Sequence, residues 1–248
     1  ALILGYLYSP FPLHLAAGDI LWQAYSNQIL IAVPLFITLG EIMLRAGFAE
    51  KMYAGIVPWL GWLPGGLMHA NIGATTIFSA TAGSSVATAA TISAVAIPEA
   101  RRHRYNENLF LGSLAAGGTP GILIPPSIGF LVYGVLTNSS IPQLYLAGFV
   151  PGLMLAACFS LTILVTCILR PGWGGKRQTY SWGDRFRGLP SLGIPLLIFL
   201  AVVGSIYAGL ATPTEAASLG VVAALALTAA VGRLSWKFLV AVIESALK

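Results

Sequence analysis

The chain has 248 residues, 57% of them hydrophobic and only 8% charged, with a mean hydropathy of +0.84. Soluble domains carry roughly 25% charged residues, so this composition excludes a soluble domain and argues against a nucleic-acid partner. The net charge of +5 sits mostly in clusters between apolar runs, where it reports topology. Long apolar stretches containing Gly and Pro suit helical spans better than barrel strands that alternate over about ten residues.

In chain order, Ala1 to Tyr8 lacks a basic signal-peptide start and reads as the tail of a span already under way, as in a piece of a longer chain. A turn at Ser9 to Pro12 leads to a short amphipathic connector over residues 13 to 27, with Asp19 and Trp22. The first full span is expected from about Gln28 to Leu44. Pro34 lies about two turns in, where proline can kink a helix, and Glu41 and Arg45 form an i, i+4 pair near its end, read as an interfacial stabiliser rather than an ion relay.

From Met52 to Pro98 there is no Asp, Glu, Lys or Arg. Residues 52 to 63 predict a short helix holding Pro58, ended by Pro64-Gly65-Gly66. Leu67 to Pro98 is too long for one crossing and keeps its small and polar residues in the middle, at Ser79, Thr81, Gly83, Ser84, Ser85 and Thr88. Two readings are open: a re-entrant hairpin of two half-length helices with an unwound tip at Ala82 to Ser85, or one tilted helix packing through its small residues. Length and the central Gly-Ser-Ser favour the hairpin. The basic run Glu99 to Arg104 that follows is expected on the cytoplasmic side.

Asn108 to Leu169 is again free of charged residues, yet it contains Gly117, Gly118, Pro120, Gly121, Pro125 and Pro126. Gly and Pro cost roughly 1 and 3 kcal/mol against Ala inside a helix, so a broken helix is predicted over residues 107 to 137. Irregular backbone at membrane depth survives only where protein buries it or a wet cavity lines it, and secondary transporters use such breaks to hold ions and substrates. Ser140 and Gln143 have capping-box spacing ahead of a span over residues 144 to 169. Arg170 to Arg187 forms a second basic segment, expected on the same side as the first. A span follows from Leu189 to Leu210, then Thr212-Pro213-Thr214-Glu215 and a span to Val231. Thr212, Pro213 and Glu215 read as a capping box with proline at the first helical position; an ion-binding role for Glu215 is the competing reading. A helix starts near Ser235. Cys158 and Cys167 lack ligand spacing and read as core or lipid-facing. His14, His69 and His103 are isolated, His69 reading as a helix-packing residue, and no enzyme constellation is visible.

Five motifs in order, GSSVATAAT (Gly83 to Thr91), IPE (Ile97 to Glu99) before a basic turn, AAGGTPGILIPPS (Ala115 to Ser127) with Tyr133-Gly134, LAGFVPG (Leu146 to Gly152) and TPTEAA (Thr212 to Ala217), resemble the large membrane subunit of tripartite ATP-independent periplasmic (TRAP) transporters, over residues 28 to 248. The resemblance implies an all-α, multi-span integral membrane protein with one re-entrant hairpin and one discontinuous helix, the first half of an inverted-repeat, elevator-type transporter. It implies Na⁺-coupled import of organic acids such as C4-dicarboxylates or sialic-acid-like carboxylates across a bacterial or archaeal inner membrane. The implied partners are a small membrane subunit, separate or fused, a periplasmic substrate-binding protein, a small carboxylate substrate and membrane lipid; Na⁺ is the coupling ion and no cofactor is expected.

Under that resemblance the chain divides into scaffold helices (1–66), a transport half-domain (67–137, with the hairpin at 67–98 and the broken helix at 107–137), a span and basic loop (138–187), two connecting spans (188–234) and the start of a second repeat (235–248). The partner hairpin and partner break are missing, so half of a transport site is expected here. The first sodium site maps to Ala82, Ser84, Gly121, Ile124 and Pro126, mainly through backbone carbonyls, with Gly83, Gly117, Gly118 and Pro125 shaping the two unwound segments. Ser85, Thr88, Thr119 and Ser127 are the candidates for the substrate side. The chain departs from the family at Ala82, often Ser, and at Pro120, often Leu or Val; carbonyl ligation survives both, whereas a hydroxyl ligand at 82 does not. The alternative is an unrelated secondary transporter or channel with re-entrant loops.

Overall fold

A computed structural model describes residues 18–19, 22, 26–82, 85–176 and 178–247, the side chains of 79–82 and 85–87 excepted. The turn at residues 9–12 lies outside the described residues, as does most of the predicted connector. Ten α-helices occur among the described residues, and no strand. They are α1 (Ala32–Arg45), α2 (Phe48–Leu60), α3 (Gly66–Ala82), α4 (Ser85–Arg102), α5 (Glu107–Gly117), α6 (Ile128–Thr137), α7 (Ile141–Leu169), α8 (Trp182–Tyr207), α9 (Pro213–Ala230) and α10 (Trp236–Ala246). Among the described residues, four stretches are long and apolar enough to cross a membrane: Gln28–Arg45, Ile141–Leu169, Trp182–Tyr207 and Pro213–Ala230.

The first of these starts as a 3-10 turn, Gln28–Ile31, because the Asn27 side chain accepts from the Ile29 amide and tightens the entry. α1 buries Phe36, Leu39, Ile42 and Met43, spaced to lie on one helical face. It meets α9, whose inward stripe is Ala216, Ala217, Gly220, Ala224 and Thr228. Small residues let backbones approach where lipid gives no hydrophobic drive between helices; a Cβ on Gly220 would stand 3.0 Å from a Leu39 methyl. The pair is tied at both ends. Thr214 Oγ1 donates to the Gln28 carbonyl at 3.0 Å, and Arg233 Nη1 donates to the Ala46 carbonyl at 2.7 Å. α1 and α9 therefore run parallel. The Glu41–Arg45 pair forms at 3.3 Å.

Gly47, at φ +76°, supplies the left-handed step between α1 and α2 that residues with a Cβ rarely adopt. α2 begins at Phe48, four residues earlier than predicted, because Phe48 and Ala49 are themselves buried. It crosses α8 at two glycines, where a Cβ on Gly55 would stand 2.8 Å from the Gly188 carbonyl. α8 starts at Trp182, inside the stretch expected to be loop, since Ser181 and Asp184 make a reciprocal capping box. The box predicted at Ser140 and Gln143 is absent. Ser140 is the N-cap of α7, but its side chain makes no cap hydrogen bond. Thr212 and Glu215 do form theirs, with Pro213 in the first turn.

α3 and α4 replace the single tilted helix with two helices that lie against one another. Their outer ends meet, since the Leu67 amide donates to the Tyr105 hydroxyl at 3.2 Å just beyond the end of α4. The two helices therefore run antiparallel. α4 runs on to Arg102, past the expected end at Pro98, and Arg101 and Arg102 occupy its last turn, where cations favour a helix C-terminus. Burial raises the Tyr105 phenol above its ordinary value. The same end of the bundle receives the second basic segment: Asn106 N–H donates to the Trp173 carbonyl at 3.2 Å, and Lys176 N–H to the His103 carbonyl at 2.9 Å. Both basic runs therefore lie at one end of the molecule, as parity requires.

Candidate functional site

The charge-free stretch after Glu107 breaks as its glycines and prolines demand. α5 ends at Gly117, a 3-10 turn spans Thr119–Ile122, the backbone is irregular to Ser127, and α6 begins at Ile128; the Pro125–Pro126 bond is cis. Ser127 restarts the helix. Its hydroxyl donates to the Ile122 carbonyl at 2.5 Å and accepts from the Phe130 amide at 3.3 Å, so the break is closed on itself by one side chain. Tyr145 of α7 reaches in and donates to the Ser127 carbonyl at 3.5 Å. Two α7 glycines seat the irregular strand: a Cβ at Gly148 would lie 2.5 Å from the Leu123 carbonyl oxygen, and one at Gly152 would lie 2.6 Å from Ile124 Cγ1.

α3 is fixed beside the break by a polar ladder. Asn71 Nδ2 donates to Ser113 Oγ at 2.8 Å, and Thr76 Oγ1 to the Gly117 carbonyl at 3.3 Å. Gly117 is needed there, because a Cβ would collide with Thr75 Oγ1 and stand 3.2 Å from the Ile72 Cα. As Asn71 precedes Thr76 and Ser113 precedes Gly117, α3 and α5 run side by side in the same direction. At about 1.5 Å per residue for α-helix and about 2 Å for 3-10 helix, Ala82 rises about 9 Å and Gly121 about 8 Å beyond that tie. The end of α3 and the centre of the break reach the same level, and α3 touches the 3-10 turn directly.

The predicted residues fall as follows. Gly83 and Ser84 lie outside the described residues; Ala82 ends α3 and Ser85 begins α4. Thr88 is fully buried and Thr119 exposed. Ser127 is buried with its hydroxyl engaged as described. Gly117, Gly118, Gly121, Ile124, Pro125 and Pro126 are all buried. Among the described residues, the carbonyl oxygens of Gly121, Ile124 and Pro126 receive no hydrogen bond. Buried backbone acceptors are nearly always paired, so three orphans in one short stretch are an arrangement suited to a hard cation, which takes oxygen ligands. No group of three His, Cys, Asp or Glu side chains that could hold a metal occurs among the described residues. His69 is buried, bonded through Nδ1 to Ser160 Oγ and through Nε2 to the Pro64 carbonyl, which fits its reading as a packing residue.

Sequence reasoning missed the residues that position the break: Asn71, Thr75, Thr76, Ser113 and Tyr145. A signal was present for one of them, since Asn71 is the sole Asn, Gln or charged side chain between Met52 and Pro98 apart from His69. The LAGFVPG motif was visible, but its role as the seat for Leu123 and Ile124 was not.

A family model described as "Tripartite ATP-independent periplasmic transporter, DctM component" matches residues 1–248. Among similar proteins, the C4-dicarboxylate TRAP transporter large permease protein of Vibrio cholerae is 33% identical over 210 residues, covering 84% of this chain and 46% of the relative. The sialic acid TRAP transporter large permease protein of the same organism is 34% identical, covering 80% and 46%. The ectoine TRAP transporter large permease protein of Halomonas elongata is 33% identical, covering 76% and 44%. The chain spans about half the length of these relatives. With a membrane-type helical bundle, a hairpin set level with a broken helix and a match over its whole length, the chain belongs to the large permease component family of the tripartite ATP-independent periplasmic transporters.

Proposed function

We propose that this chain supplies one half of the transport site of a Na⁺-coupled secondary importer of small organic acids. The observation that carries the reading is the group of three carbonyls at the buried residues Gly121, Ile124 and Pro126, which receive no hydrogen bond among the described residues, level with the end of α3. A sodium ion would be held by these oxygens together with backbone from the α3–α4 tip at Ala82 and Ser84. The bound ion brings positive charge to an otherwise uncharged region, and that charge is what a carboxylate substrate meets. Ser85, Thr88 and Thr119 are the side chains proposed on the substrate side. Relatives are named for C4-dicarboxylate, sialic acid and ectoine transport, which supports an organic acid as the class. A small membrane subunit and a periplasmic binding protein complete the assembly in the inner membrane, with the basic runs on the cytoplasmic side.

The test is sodium titration of uptake by the intact transporter in proteoliposomes. Gly121→Leu crowds the irregular backbone of the break and Ser84→Leu the proposed tip ligands, and each should raise half-saturating sodium by about ten- to a hundredfold, the effect of losing a charge-assisted ligand. Normal sodium dependence in both assembled variants would move the ion elsewhere.

A further inference from the structure

At the junction of α2 and α8 the surface carries an aromatic shelf that nothing in the described chain covers. Trp182 and Phe186 stack with centroids 6.4 Å apart, and Trp59 of α2 meets Phe186 edge-on at 6.2 Å. Trp182 is 66% exposed and Phe186 59%, the reverse of what large aromatics do when a protein core has room for them. The Arg185 guanidinium lies over the Trp182 ring at 4.6 Å. Two hydrogen-bond donors in this group are closed from solvent and lack any acceptor, Trp59 Nε1 and Arg185 Nε. Neither Arg185 nor Arg187 makes an ion pair among the described residues. The nearest acid in sequence, Asp184, is committed to the Ser181 cap.

The position of the shelf along α8 identifies the medium. The apolar part of α8 begins at Leu189, so residues 182 to 188 stand at its rim, at the end of the bundle that also carries the other basic run. Trp at a membrane rim places its ring among the headgroups. Below the shelf, Leu189, Leu196, Leu197 and Leu200 are exposed along α8, an apolar track for acyl chains. Two arginines, Arg185 and Arg187, stand here against the single exposed carboxylate of Asp184, whose Oδ2 already caps α8, so the rim carries a net positive charge that favours an anionic headgroup.

We propose that Trp59, Trp182, Arg185 and Phe186 form a binding site for the phosphate headgroup of an anionic phospholipid, with its acyl chains running along α8. The phosphate oxygens accept from the terminal guanidinium N–H groups of Arg185 beside the exposed Trp182 ring, and Arg187 adds charge. This holds independently of where sodium binds.

The test uses the complete transporter with its partner subunits in nanodiscs of phosphatidylcholine doped with phosphatidylglycerol, read by native mass spectrometry of retained lipid. The wild type should retain phosphatidylglycerol in preference to phosphatidylcholine. Arg185→Gln and Trp182→Ala, which remove the charge and the ring separately, should each lower that preference by about fivefold or more. Arg101→Gln, at the other basic run, should leave it unchanged. Equal retention of the two lipids, or wild-type retention in both shelf variants, would overturn the proposal. So would photo-crosslinking from position 182 that captures a protein subunit instead of lipid.

Discussion

Gly148→Ala tests whether the irregular strand after the 3-10 turn is held by α7. The added Cβ would sit 2.5 Å from the Leu123 carbonyl oxygen and in collision with the Phe130 ring, where ordinary contact begins near 3.4 Å. Phe130 is only half-buried and can turn aside, but the carbonyl belongs to backbone seated against Gly152 by Ile124 and closed by Ser127. Relief therefore requires the strand to move by about 0.9 Å, and overpacking of this kind costs roughly 1–3 kcal/mol. The movement is delivered one residue from Ile124, whose oxygen is one of the three proposed ligands. If one-half to two-thirds of that cost falls on the ion-bound geometry, half-saturating sodium rises by roughly two- to thirtyfold. The assay is sodium-dependent uptake by the reconstituted full transporter, with thermal stability measured alongside. Gly112→Ala is the control, since a Cβ there meets nothing within 4 Å and improves helix propensity. A Gly148→Ala protein with unchanged sodium dependence and unchanged melting would refute the argument that α7 positions the break.

Two further predictions concern topology and the second capping motif. Cysteines placed singly at positions 103 and 178 should both resist an impermeant thiol reagent applied from the periplasm, because the segments that carry them are joined through the His103–Lys176 and Asn106–Trp173 backbone bonds; labelling of either one would sink the common orientation. Glu215→Gln should leave sodium dependence untouched because Gln also closes a capping box, whereas Thr212→Ala should cost about 1 kcal/mol of stability. Loss of sodium dependence in Glu215→Gln alone would move the ion to the start of α9.

The division of residues 67–98 into two packed helices and the break after Gly117 were legible because their residues violate helix chemistry in a setting that otherwise demands helix. Gly117, Gly118, Pro120 and the Pro125–Pro126 pair leave no continuous alternative, and the Gly-Ser-Ser at residues 83 to 85 falls halfway along a run too long for one crossing. The capping box at Thr212 was legible for the same local reason. What failed depended on partners distant in sequence. Ser140 had the right spacing to Gln143 and formed no side-chain bond, while Ser181 and Asp184 formed a box inside a stretch whose arginines suggested loop. The Asn71–Ser113 and Thr76–Gly117 ties join residues about forty positions apart, and no local pattern announces which polar groups of two apolar helices will face each other.

Those ties matter because an ion site made from backbone has no side chain to adjust. A carboxylate can swing through its rotamers to meet a cation; a carbonyl at Gly121 or Pro126 goes only where its chain segment goes. On the proposed reading, two unwound segments from separate helices must meet at one depth, and an unpaired buried acceptor costs roughly 1–3 kcal/mol until it finds a donor or a cation. The surroundings of the break supply that placement from three directions. Ser127 closes the segment on itself, Gly148 and Gly152 let α7 seat it, and the α3 ladder sets its height against the hairpin. The ladder is polar in an otherwise apolar stretch because directional hydrogen bonds fix register, whereas apolar contacts between two smooth helices would let α3 slide along α5. Asn71 carries the greatest share of this. It is fully buried, its amide nitrogen is bonded to Ser113, and its backbone oxygen accepts from Thr75 Oγ1, so one residue joins the rung across to α5 to the Thr75 side chain that Gly117 must fit beneath.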